Sequence, residues 1–527
     1  MLPQFKQAAS PRPGVYDPNW HLPNQDEEDD SPQIPGSRVV TASELGKFAA
    51  MRPEIQPQEH QQRIADRLTT DNPKLLVYHG LGTGKSLASI LAAETAKKKF
   101  KDDYGVVVPA SLRENFSKEV GKFTTDSNPE IMSYTGLGLG KNFAKQPNTL
   151  IVDEAHRLRN PTSASTKAIS NVASNANRLM LLSGSPIVNE PADLAVPLSL
   201  LTGKNISPNK FKETFLGTKQ VTPGFLGRLQ GVTPGDVPVI QNEDILRNLL
   251  RGRVDYQPGK SPEGVNIKEE TINVPLSSEQ LKIQEAIRKQ IPLRYLWKLD
   301  REFPLSRDEV EKLNAFMTGL RQSSLSTQSF RADKDPYKAY TQSGKMLEAV
   351  KRLKELVASD PRKKAIVYSN YVGAGLNPYA AALDKEKIPY GIFHGGIRPD
   401  VRKKTLEDYN AGKLKALLIG PAGAEGISTK GTSLIQLLDP HWNETRSSQA
   451  RGRGLRFDSH LGLPEDLKNV LVQRYISTTE EPNLLGRLLG RKRVRTGDEI
   501  INTLAKNKEE LNEQFRKILR EEGTSKI

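Results

Sequence analysis

Residues 79–86 read HGLGTGKS, and their types and spacing suit the binding of a phosphate group. The octapeptide directly follows the apolar run LLVYHG and precedes a helix-like stretch, SLASILAAETAKKK. Alternate glycines let backbone N–H groups close around an anion, and the helix N-terminus adds positive potential. Lys85 is placed to reach β- and γ-phosphates, and Ser86 to hold Mg²⁺. The predicted nucleotide-binding residues are His79, Gly80, Leu81, Gly82, Thr83, Gly84, Lys85 and Ser86, with His79 standing where the strict P-loop pattern has glycine.

Two adjacent carboxylates follow the apolar run TLIV, in the sequence TLIVDEAH at residues 149–156. The run predicts a buried strand, with Asp153 and Glu154 at its tip. Phosphoryl transfer needs such a pair, because Asp153 can hold the Mg²⁺ while Glu154 orients or deprotonates the attacking water. Following a phosphate-binding loop, the pair predicts catalysis rather than a solvated strand end.

The composition of the 527-residue chain excludes several classes of protein. There is no cysteine, so disulfides, thiolate zinc sites and cysteine nucleophiles are ruled out. No stretch of eighteen apolar residues occurs, and the N-terminus lacks the apolar run of a secretory signal. We therefore expect an intracellular protein that is neither secreted nor membrane-spanning. The net charge of +15 favours a polyanionic partner.

Short apolar runs alternate with helix-like stretches in two parts of the chain. The pattern is typical of parallel sheets covered on both faces, and so predicts an α/β fold. Between the two parts lies a mostly helical insert, in which Ser277 and Gln280 predict a capping box. Apolar residues at helical spacing near the C-terminus predict one amphipathic helix. We expect a flexible tail at 1–45, a first domain at 46–205, the insert at 206–344, a second domain at 345–480, and a basic loop and helix at 481–527.

The ordered motifs resemble those of the superfamily 2 helicase-type ATPases. HGLGTGKS, VVVPASLRENFSKEV, IVDEAHRLRN and LSGSPIVNE are similar to motifs I, Ia, II and III. In the second half, AIVYSNYV, IGPAGAEGIS and QARGRGLR are similar to motifs IV, V and VI. The segments DEAHRLRN and SGSPIVN resemble the Swi/Snf-type branch. The continuation FDSHLGLPEDLKNVLVQRYIS is similar to viral members, such as poxvirus-like nucleoside triphosphatases and early-transcription ATPases, and to phage relatives.

This resemblance implies two RecA-like, doubly wound parallel-sheet domains that hold ATP between them. The first domain would supply the P-loop and DEAH residues, and motif VI of the second would supply Arg453 and Arg456 as arginine fingers. Gln449 would lie near the attacking water. Gln61 matches the adenine-reading glutamine of the family, but the neighbouring Gln58 and Gln62 leave its register open.

The resemblance also implies that motifs Ia, IV and V contact the phosphates of one nucleic-acid strand. Such contacts position the protein without reading base sequence. The candidates are Ser111, Arg113, Ser369, Asn370, His394 and Gly395, each of which is equally suited to capping or turn formation. The basic segment 487–495, with Arg491, Lys492 and Arg493, is a further candidate, the alternatives being a solvated loop and pairing with an internal acidic neighbour.

We therefore predict an ATP-dependent helicase or translocase that moves along duplex DNA. One alternative of the same fold is a viral or phage transcription-associated or RNA-directed helicase, which would act with transcription or replication machinery. A non-enzymatic alternative is an ATP-binding scaffold, against which the intact catalytic residues argue. DNA and RNA preference stays open, because these motifs contact the nucleic-acid backbone.

Overall fold

The computed structural model describes residues 55–70, 73–80, 82–125, 127–229, 231–259, 265–421, 429–440, 459–460, 462–480 and 493–524. The tail predicted over residues 1–45 lies outside these ranges. Within them, none of the helices is long and apolar enough to cross a membrane.

The strands, in chain order, are β1 (Lys74–His79), β2 (Tyr104–Val108), β3 (Glu130–Ser133), β4 (Thr149–Asp153), β5 (Arg178–Ser183), β6 (Leu216–Val221), β7 (Gly235–Ile240), β8 (Val254–Gln257), β9 (Asn266–Pro275), β10 (Ala365–Tyr368), β11 (Tyr390–Phe393), β12 (Ala416–Ile419), β13 (Leu434–Leu437) and β14 (Asn469–Thr478).

The α-helices are α1 (Glu59–Leu68), α2 (Lys85–Phe100), α3 (Arg113–Phe123), α4 (Tyr134–Gly138), α5 (Ala164–Ser174), α6 (Ala195–Thr202), α7 (Pro208–Phe215), α8 (Phe225–Leu229), α9 (Glu243–Leu250), α10 (Ser278–Arg288), α11 (Leu293–Asp300), α12 (Arg307–Leu325), α13 (Pro336–Thr341), α14 (Gly344–Ser359), α15 (Asn377–Lys385), α16 (Pro399–Asn410) and α17 (Gly497–Thr524). Short 3-10 turns occupy Ala110–Leu112, Ala155–Arg159, Pro191–Leu194, Gln328–Phe330 and Glu465–Leu467, and Val372–Leu376 is a π-helical turn.

The first sheet consists of six parallel strands in the order β3-β2-β4-β5-β1-β8. One face packs mainly against α1, α2 and α3, and the other against α5, α6, α7 and part of α17. The central strands are buried on both faces, as their continuous apolar sequences predict. Because all six strands are parallel, the loops after β1, β2, β4 and β5 meet at one edge of the sheet.

The second sheet repeats this architecture, with six parallel strands in the order β11-β12-β10-β13-β14-β9. Helices α14 and α15 cover one face, and α16 packs on the other. The α/β fold with two parallel sheets is thus confirmed. Its loops after β10, β11, β12 and β13 again share one edge.

The described part of the predicted insert, residues 206–344, contains four strands besides its helices. Strands β6 and β7 form an antiparallel hairpin, while β8 joins the first sheet and β9 the second. Helices α10, α11 and α12 form a separate small core with the start of α17. The predicted capping box forms at α10, where Ser277 Oγ accepts from the Gln280 N–H at 3.2 Å and Gln280 Oε1 accepts from the Ser277 N–H.

The predicted C-terminal helix is α17, and it connects three parts of the molecule. Its first turns place Ile500 and Ile501 in the core of the insert. Its last turns place Phe515 and Leu519 in the core of the first sheet. At its start, Asp498 forms a fully buried ion pair with Lys345 of α14.

Candidate functional site

The phosphate-binding loop predicted at residues 79–86 joins β1 to α2. Gly82 and Gly84 have φ angles of 76° and 70°, in the left-handed region that residues with a side chain rarely adopt. The loop therefore turns sharply into α2, whose first N–H groups have no partner within the helix. These N–H groups and the positive end of the helix dipole suit an anion.

Lys85 is the first residue of α2, and its ammonium group points back into the loop. Its Nζ donates hydrogen bonds of 3.0 Å to the backbone oxygens of His79 and Gly80. The Thr83 hydroxyl donates to the same Gly80 oxygen at 2.9 Å. Ser86 is the next residue of the helix and is half-buried. The lysine charge and the serine hydroxyl thus lie at the same end of α2 as the loop.

The side chain of His79 points away from the loop. It is fully buried, and its Nε2 lies 2.7 Å from Oδ1 of Asp255 on β8. Burial lowers the pKa of His79, against the opposing effect of the Asp255 hydrogen bond. His79 therefore contributes its backbone oxygen to the loop, and its imidazole belongs to a buried polar cluster behind it.

Of the three neighbouring glutamines, Gln61 is the one that contacts the loop. It is buried on α1, and its Nε2 donates to the backbone oxygen of Thr83 at 3.1 Å. A Cβ at Gly84 would lie 2.6 Å from this nitrogen, so the two groups are closely packed. Gln58 is exposed, and the Gln62 amide faces a side chain of its own helix, Asp66. The structure thus favours Gln61 as the residue beside the nucleotide loop.

Asp153 and Glu154 lie at the carboxyl end of β4, next to β5 in the first sheet. Glu154 has a φ of 55°, an uncommon conformation for a residue other than glycine. The Tyr134 hydroxyl holds this turn, donating to the backbone oxygens of Asp153 at 2.8 Å and Glu154 at 3.1 Å. The Glu154 carboxylate lies 3.2 Å from Nδ1 of His156. The turn therefore holds two carboxylates at the same sheet edge as the phosphate loop.

Burial and the negative charge of Glu154 together raise the pKa of Asp153 to about 7, against the opposing charge of Lys85. A pair of crowded carboxylates is stabilised by a nearby cation. The site therefore favours a bound positive charge beside Asp153.

The oxygen donors Ser86 and Asp153 fit Mg²⁺, which prefers hard oxygen ligands and few protein groups. Among the described residues, no three His, Asp or Glu side chains gather as a metal site. Magnesium at this edge would thus rely on these two residues, with phosphate and water oxygens completing its shell.

The loop after β5 joins the two halves of the site. The Ser183 hydroxyl accepts a hydrogen bond from the Ser185 N–H at 3.1 Å and lies 3.4 Å from Nδ1 of His156. A Cβ at Gly184 would lie 3.7 Å from Nζ of Lys85. Residues of the SGSP motif thus touch both the DEAH turn and the phosphate-binding lysine.

The first-sheet residues predicted to contact nucleic acid lie after β2. Ser111 and Arg113 are exposed at the start of α3, at the carboxyl edge of the sheet. The hydrogen bond and charge of Lys118 lower the pKa of Glu114, and the charge of Lys403 on α16 adds to this effect. Helices α3 and α16, from the two sheets, therefore lie within electrostatic reach of each other.

The second-sheet candidates lie in turns after β10 and β11. Ser369 is fully buried, and Asn370 donates to the buried Asp439 carboxylate through its N–H at 3.0 Å and its amide at 2.7 Å. His394 Nδ1 accepts from the Gly396 N–H at 3.0 Å, and Gly395 is exposed. Ser369 and Asn370 thus have internal turn-forming partners, whereas Gly395 is open to solvent.

Two domain families match the chain in the order that its motifs predict. Residues 131–219 match the SNF2-related domain, and residues 348–458 match the helicase conserved C-terminal domain. The first match contains the DEAH turn and the SGSP loop. The chain therefore carries an SNF2-related domain followed by a helicase conserved C-terminal domain.

Viral proteins are similar to this SNF2-related ATPase over most of its length. A protein of Acanthamoeba polyphaga mimivirus, with the name "Putative ATP-dependent RNA helicase L538", is 26% identical over 87% of this chain and 96% of its own. An African swine fever virus protein named as a homologue of termination factor NPH-I is 22% identical over 85% of this chain and 75% of its own. The domains and relatives make this SNF2-related chain a nucleic-acid-dependent ATPase.

Among solved structures, the SWI2/SNF2 ATPase core of Sulfolobus solfataricus, in complex with double-stranded DNA, is 17% identical to the chain. The match covers 88% of this chain and 97% of that one, with a TM-score of 0.33.

Several predicted site residues of this SNF2-related ATPase lie outside the described residues. They are Leu81, Gln449, Arg453, Arg456, Arg491 and Lys492. Arg493 is described, and it donates to the backbone oxygen of Thr479 at 3.2 Å and pairs with Glu499 of α17. Arg493 is therefore engaged within the protein rather than solvated.

Sequence reasoning missed two buried carboxylates beside the site. Asp255 contacts His79 behind the phosphate loop, and Asp439 contacts Asn370 after β10. Asp439 follows the apolar run SLIQLL at the expected strand end, so its position carried a signal. Asp255 lies in the short segment VDYQ, where no pattern marks it.

Proposed function

We propose that this SNF2-related ATPase uses ATP hydrolysis to move along duplex DNA. The observation that carries the proposal is the meeting of the phosphate loop and the Asp153–Glu154 turn at one edge of the first sheet, where a Cβ at Gly184 would lie 3.7 Å from Nζ of Lys85. These groups supply the parts that ATP hydrolysis needs. The net charge of +15, with exposed Arg113 on α3 and Lys403 on α16, suits a nucleic-acid backbone.

The ATP chemistry is assigned to the edge of the first sheet. Lys85 and the N-terminus of α2 would hold the β- and γ-phosphates, and Gln61 would lie beside the base. Glu154, fixed by its left-handed turn, would orient the attacking water and accept its proton. Bound Mg²⁺, held by Ser86 and Asp153, would neutralise charge on the transferring phosphoryl group.

The family resemblance assigns the remaining catalytic groups to motif VI. Arg453 and Arg456 would reach the γ-phosphate from the second domain, with Gln449 near the water. A guanidinium fork suits the charge that develops on phosphoryl oxygens. Closure of the cleft would then couple hydrolysis to a change in the grip on nucleic acid.

Duplex DNA is the preferred substrate of this proposal for three reasons. The DEAHRLRN and SGSPIVN segments have the Swi/Snf-type pattern, and the SNF2-related match contains both. The net charge of +15 suits a polyanion. Contacts with the phosphate backbone of DNA do not depend on base identity, so they allow translocation along any base sequence.

A transcription-associated or RNA-directed helicase is the second candidate. The names of the viral relatives favour it, since one is named as an RNA helicase and another as a termination-factor homologue. Its partners would include transcription machinery.

Steady-state ATPase measurements separate the two candidates. The wild-type protein is assayed with duplex DNA, single-stranded DNA and RNA of equal length. The Lys85→Ala variant, purified identically, measures contaminating hydrolysis. Greater stimulation by duplex DNA is expected, and greater stimulation by RNA would replace the proposal with the second candidate.

A further inference from the structure

The carboxylate of Asp255 is the centre of a buried polar cluster that the ATPase chemistry does not use. Asp255 lies on β8, the edge strand beside β1, and its side chain is fully buried. It accepts four hydrogen bonds, two from Arg63 at 2.7 and 3.0 Å, one from Arg67 at 3.0 Å and one from His79 at 2.7 Å. A buried carboxylate with this many charged and polar donors is well satisfied.

Two guanidinium groups, of Arg63 and Arg67, face the single carboxylate of Asp255 in this cluster. Burial alone would raise the pKa of Asp255, but hydrogen bonds from His79 and Arg63 outweigh it and hold the pKa well below its ordinary value. Burial lowers the pKa of His79, and its Nε2 faces the Asp255 carboxylate, which can only accept, so the imidazole donates from this nitrogen. The two arginines therefore supply the positive charge, and the histidine supplies one further donor.

The donors come from two elements, helix α1 and strand β1. Arg63 and Arg67 lie on α1, the helix that carries Gln61. Arg67 also donates to the backbone oxygen of Val254 at 2.7 Å, which ties α1 to β8. His79 lies at the end of β1, where the phosphate loop begins.

Further hydrogen bonds connect these elements directly to the loop. His60 Nε2 lies 2.8 Å, and Gln61 Nε2 3.1 Å, from the backbone oxygen of Thr83. On the other side, the Gly80 N–H donates to the backbone oxygen of Gln257, just after Asp255 on β8, at 2.9 Å. Asp255 is thus the common anchor of α1, β1 and the loop between β1 and α2.

We propose that Asp255 is a positioning residue of the nucleotide site. It fixes the position of helix α1, which carries Gln61, relative to the phosphate loop, and thereby sets the preference for adenine nucleotides. The inference rests on the proposed function, in which Lys85 and its loop bind phosphate and Gln61 lies beside the base. Asp255 does not touch the nucleotide itself. It acts through Arg63 and Arg67 on one side and through His79 on the other.

This arrangement predicts that substitutions on α1 and at His79 have separable effects on nucleotide binding. Arg63→Gln removes both charge-assisted hydrogen bonds from Arg63 to Asp255, loosens α1, and should lower the preference for ATP over GTP by about tenfold. His79→Leu loosens the loop and should weaken binding of both nucleotides alike. His79→Gln keeps an amide donor near the position of Nε2 and should restore most of the binding. Asp255→Asn should combine both losses.

The experiment measures dissociation constants of the non-hydrolysable analogues AMP-PNP and GMP-PNP, with the melting temperature of every variant as a check on folding. Arg63 is the first variant to test, because its side chain is 38% exposed and the protein tolerates its replacement best. If Asp255→Asn does not fold, Arg63→Gln and the two His79 variants carry the test.

Asp102→Asn is the matched control. Asp102 is also a buried carboxylate of the first-sheet domain, paired with Arg178 and with Asn148 at 3.1 Å. It lies at the amino edge of the sheet, before β2, away from the phosphate loop. The Asp102→Asn substitution should lower the melting temperature and leave both dissociation constants and their ratio unchanged.

The outcomes separate this inference from the proposed function. Absence of nucleotide binding in the wild type, matching Lys85→Ala, would refute the proposed function. If Arg63→Gln keeps the wild-type preference for AMP-PNP, and His79→Leu keeps the wild-type affinity for both analogues, the role of Asp255 is refuted. The proposed function is not affected by that result. Equal binding of both analogues by the wild type would also overturn it, since there would be no base preference to set.

Discussion

The side-chain amide of Asn512, on the C-terminal helix α17, donates a hydrogen bond of 3.2 Å to the backbone oxygen of Asn189. Asn189 lies in the loop that follows β5 and contains the SGSP motif. Arg516, one turn further along α17, donates to the backbone oxygen of Ile187 in the same loop at 3.4 Å. The helix that starts against the second sheet therefore ends by holding a loop of the ATP site.

The first prediction concerns the anchoring of α17 in the first sheet. Phe515 is fully buried and lies with its ring centroid 6.0 Å from that of Phe211. Phe515→Ala should lower the free energy of unfolding by about 3–5 kcal/mol, because it leaves a cavity in a packed core. Urea denaturation measures the change.

The neighbouring Lys517 is the control, because its side chain is 69% exposed. Lys517→Ala should change the free energy of unfolding by less than about 0.5 kcal/mol. Similar values for the two variants would mean that α17 does not belong to the core of the first sheet.

The second prediction separates the two central residues of the ATP site. Lys85→Ala removes the main cationic contact to the phosphates and should weaken ATP binding by roughly tenfold or more. Glu154→Gln keeps the shape of the turn and loses the proton acceptor, so turnover should fall by roughly 10²-fold or more while binding is retained. Titration with ATP and single-turnover kinetics measure both. Wild-type turnover in Glu154→Gln would remove Glu154 from the mechanism.

The third prediction follows from the crowded carboxylates. Burial and the charge of Glu154 raise the pKa of Asp153 to about 7, so a proton competes with Mg²⁺ for Asp153 below that pH. Binding of Mg²⁺–AMP-PNP should therefore weaken as the pH falls through 7. Glu154→Gln removes a like charge, lowers the pKa of Asp153, and should move the midpoint to lower pH. An identical midpoint in both proteins would show that the two carboxylates do not interact.

The fourth prediction concerns two exposed basic residues, Arg113 on α3 and Lys403 on α16. Arg113→Ala on α3 and Lys403→Ala on α16 should each reduce the slope of log K against log salt by roughly one unit for duplex DNA. Binding should weaken about equally across base sequences, because phosphate contacts carry no sequence information. Fluorescence anisotropy at several salt concentrations measures the slope.

Lys98→Ala provides the comparison, since Lys98 is exposed near the far end of α2, at the opposite edge of the first sheet. The slope of log K against log salt for Lys98→Ala should equal that of the wild type. Unchanged slopes in all three variants would place the nucleic acid elsewhere on the molecule.

Sequence patterns predicted the central strands well, and physical reasons explain which strands were missed. Strands such as β1 and β4 are buried on both faces, so their sequences are continuous apolar runs. Strand β9 lies at a sheet edge, mostly exposed, and reads NIKEETINVP without such a run. Its place depends on ten residue pairs with β14, whose partners are 203 residues apart along the chain, and no local pattern reports them.

The candidate site likewise combines features that the local sequence predicts with contacts between residues far apart along the chain. The turn at Gly84 and the position of Lys85 follow from the local sequence, because glycine and a helix start are needed there. The role of Asp255 does not, because Arg63 and His79 lie 192 and 176 residues from it along the chain. Asn370 likewise turned out to be held by Asp439, a partner that only the fold brings near.

The central claim is ATP-driven movement along duplex DNA, and displacement of a third strand from a DNA triplex tests it most directly. A motor that travels along the duplex strips off the third strand without needing to separate the duplex. The account predicts displacement that requires ATP, is lost in Glu154→Gln, and occurs on triplex flanked by duplex DNA. Failure to displace the third strand, together with ATP-dependent unwinding of an RNA duplex by the same preparation, would contradict it.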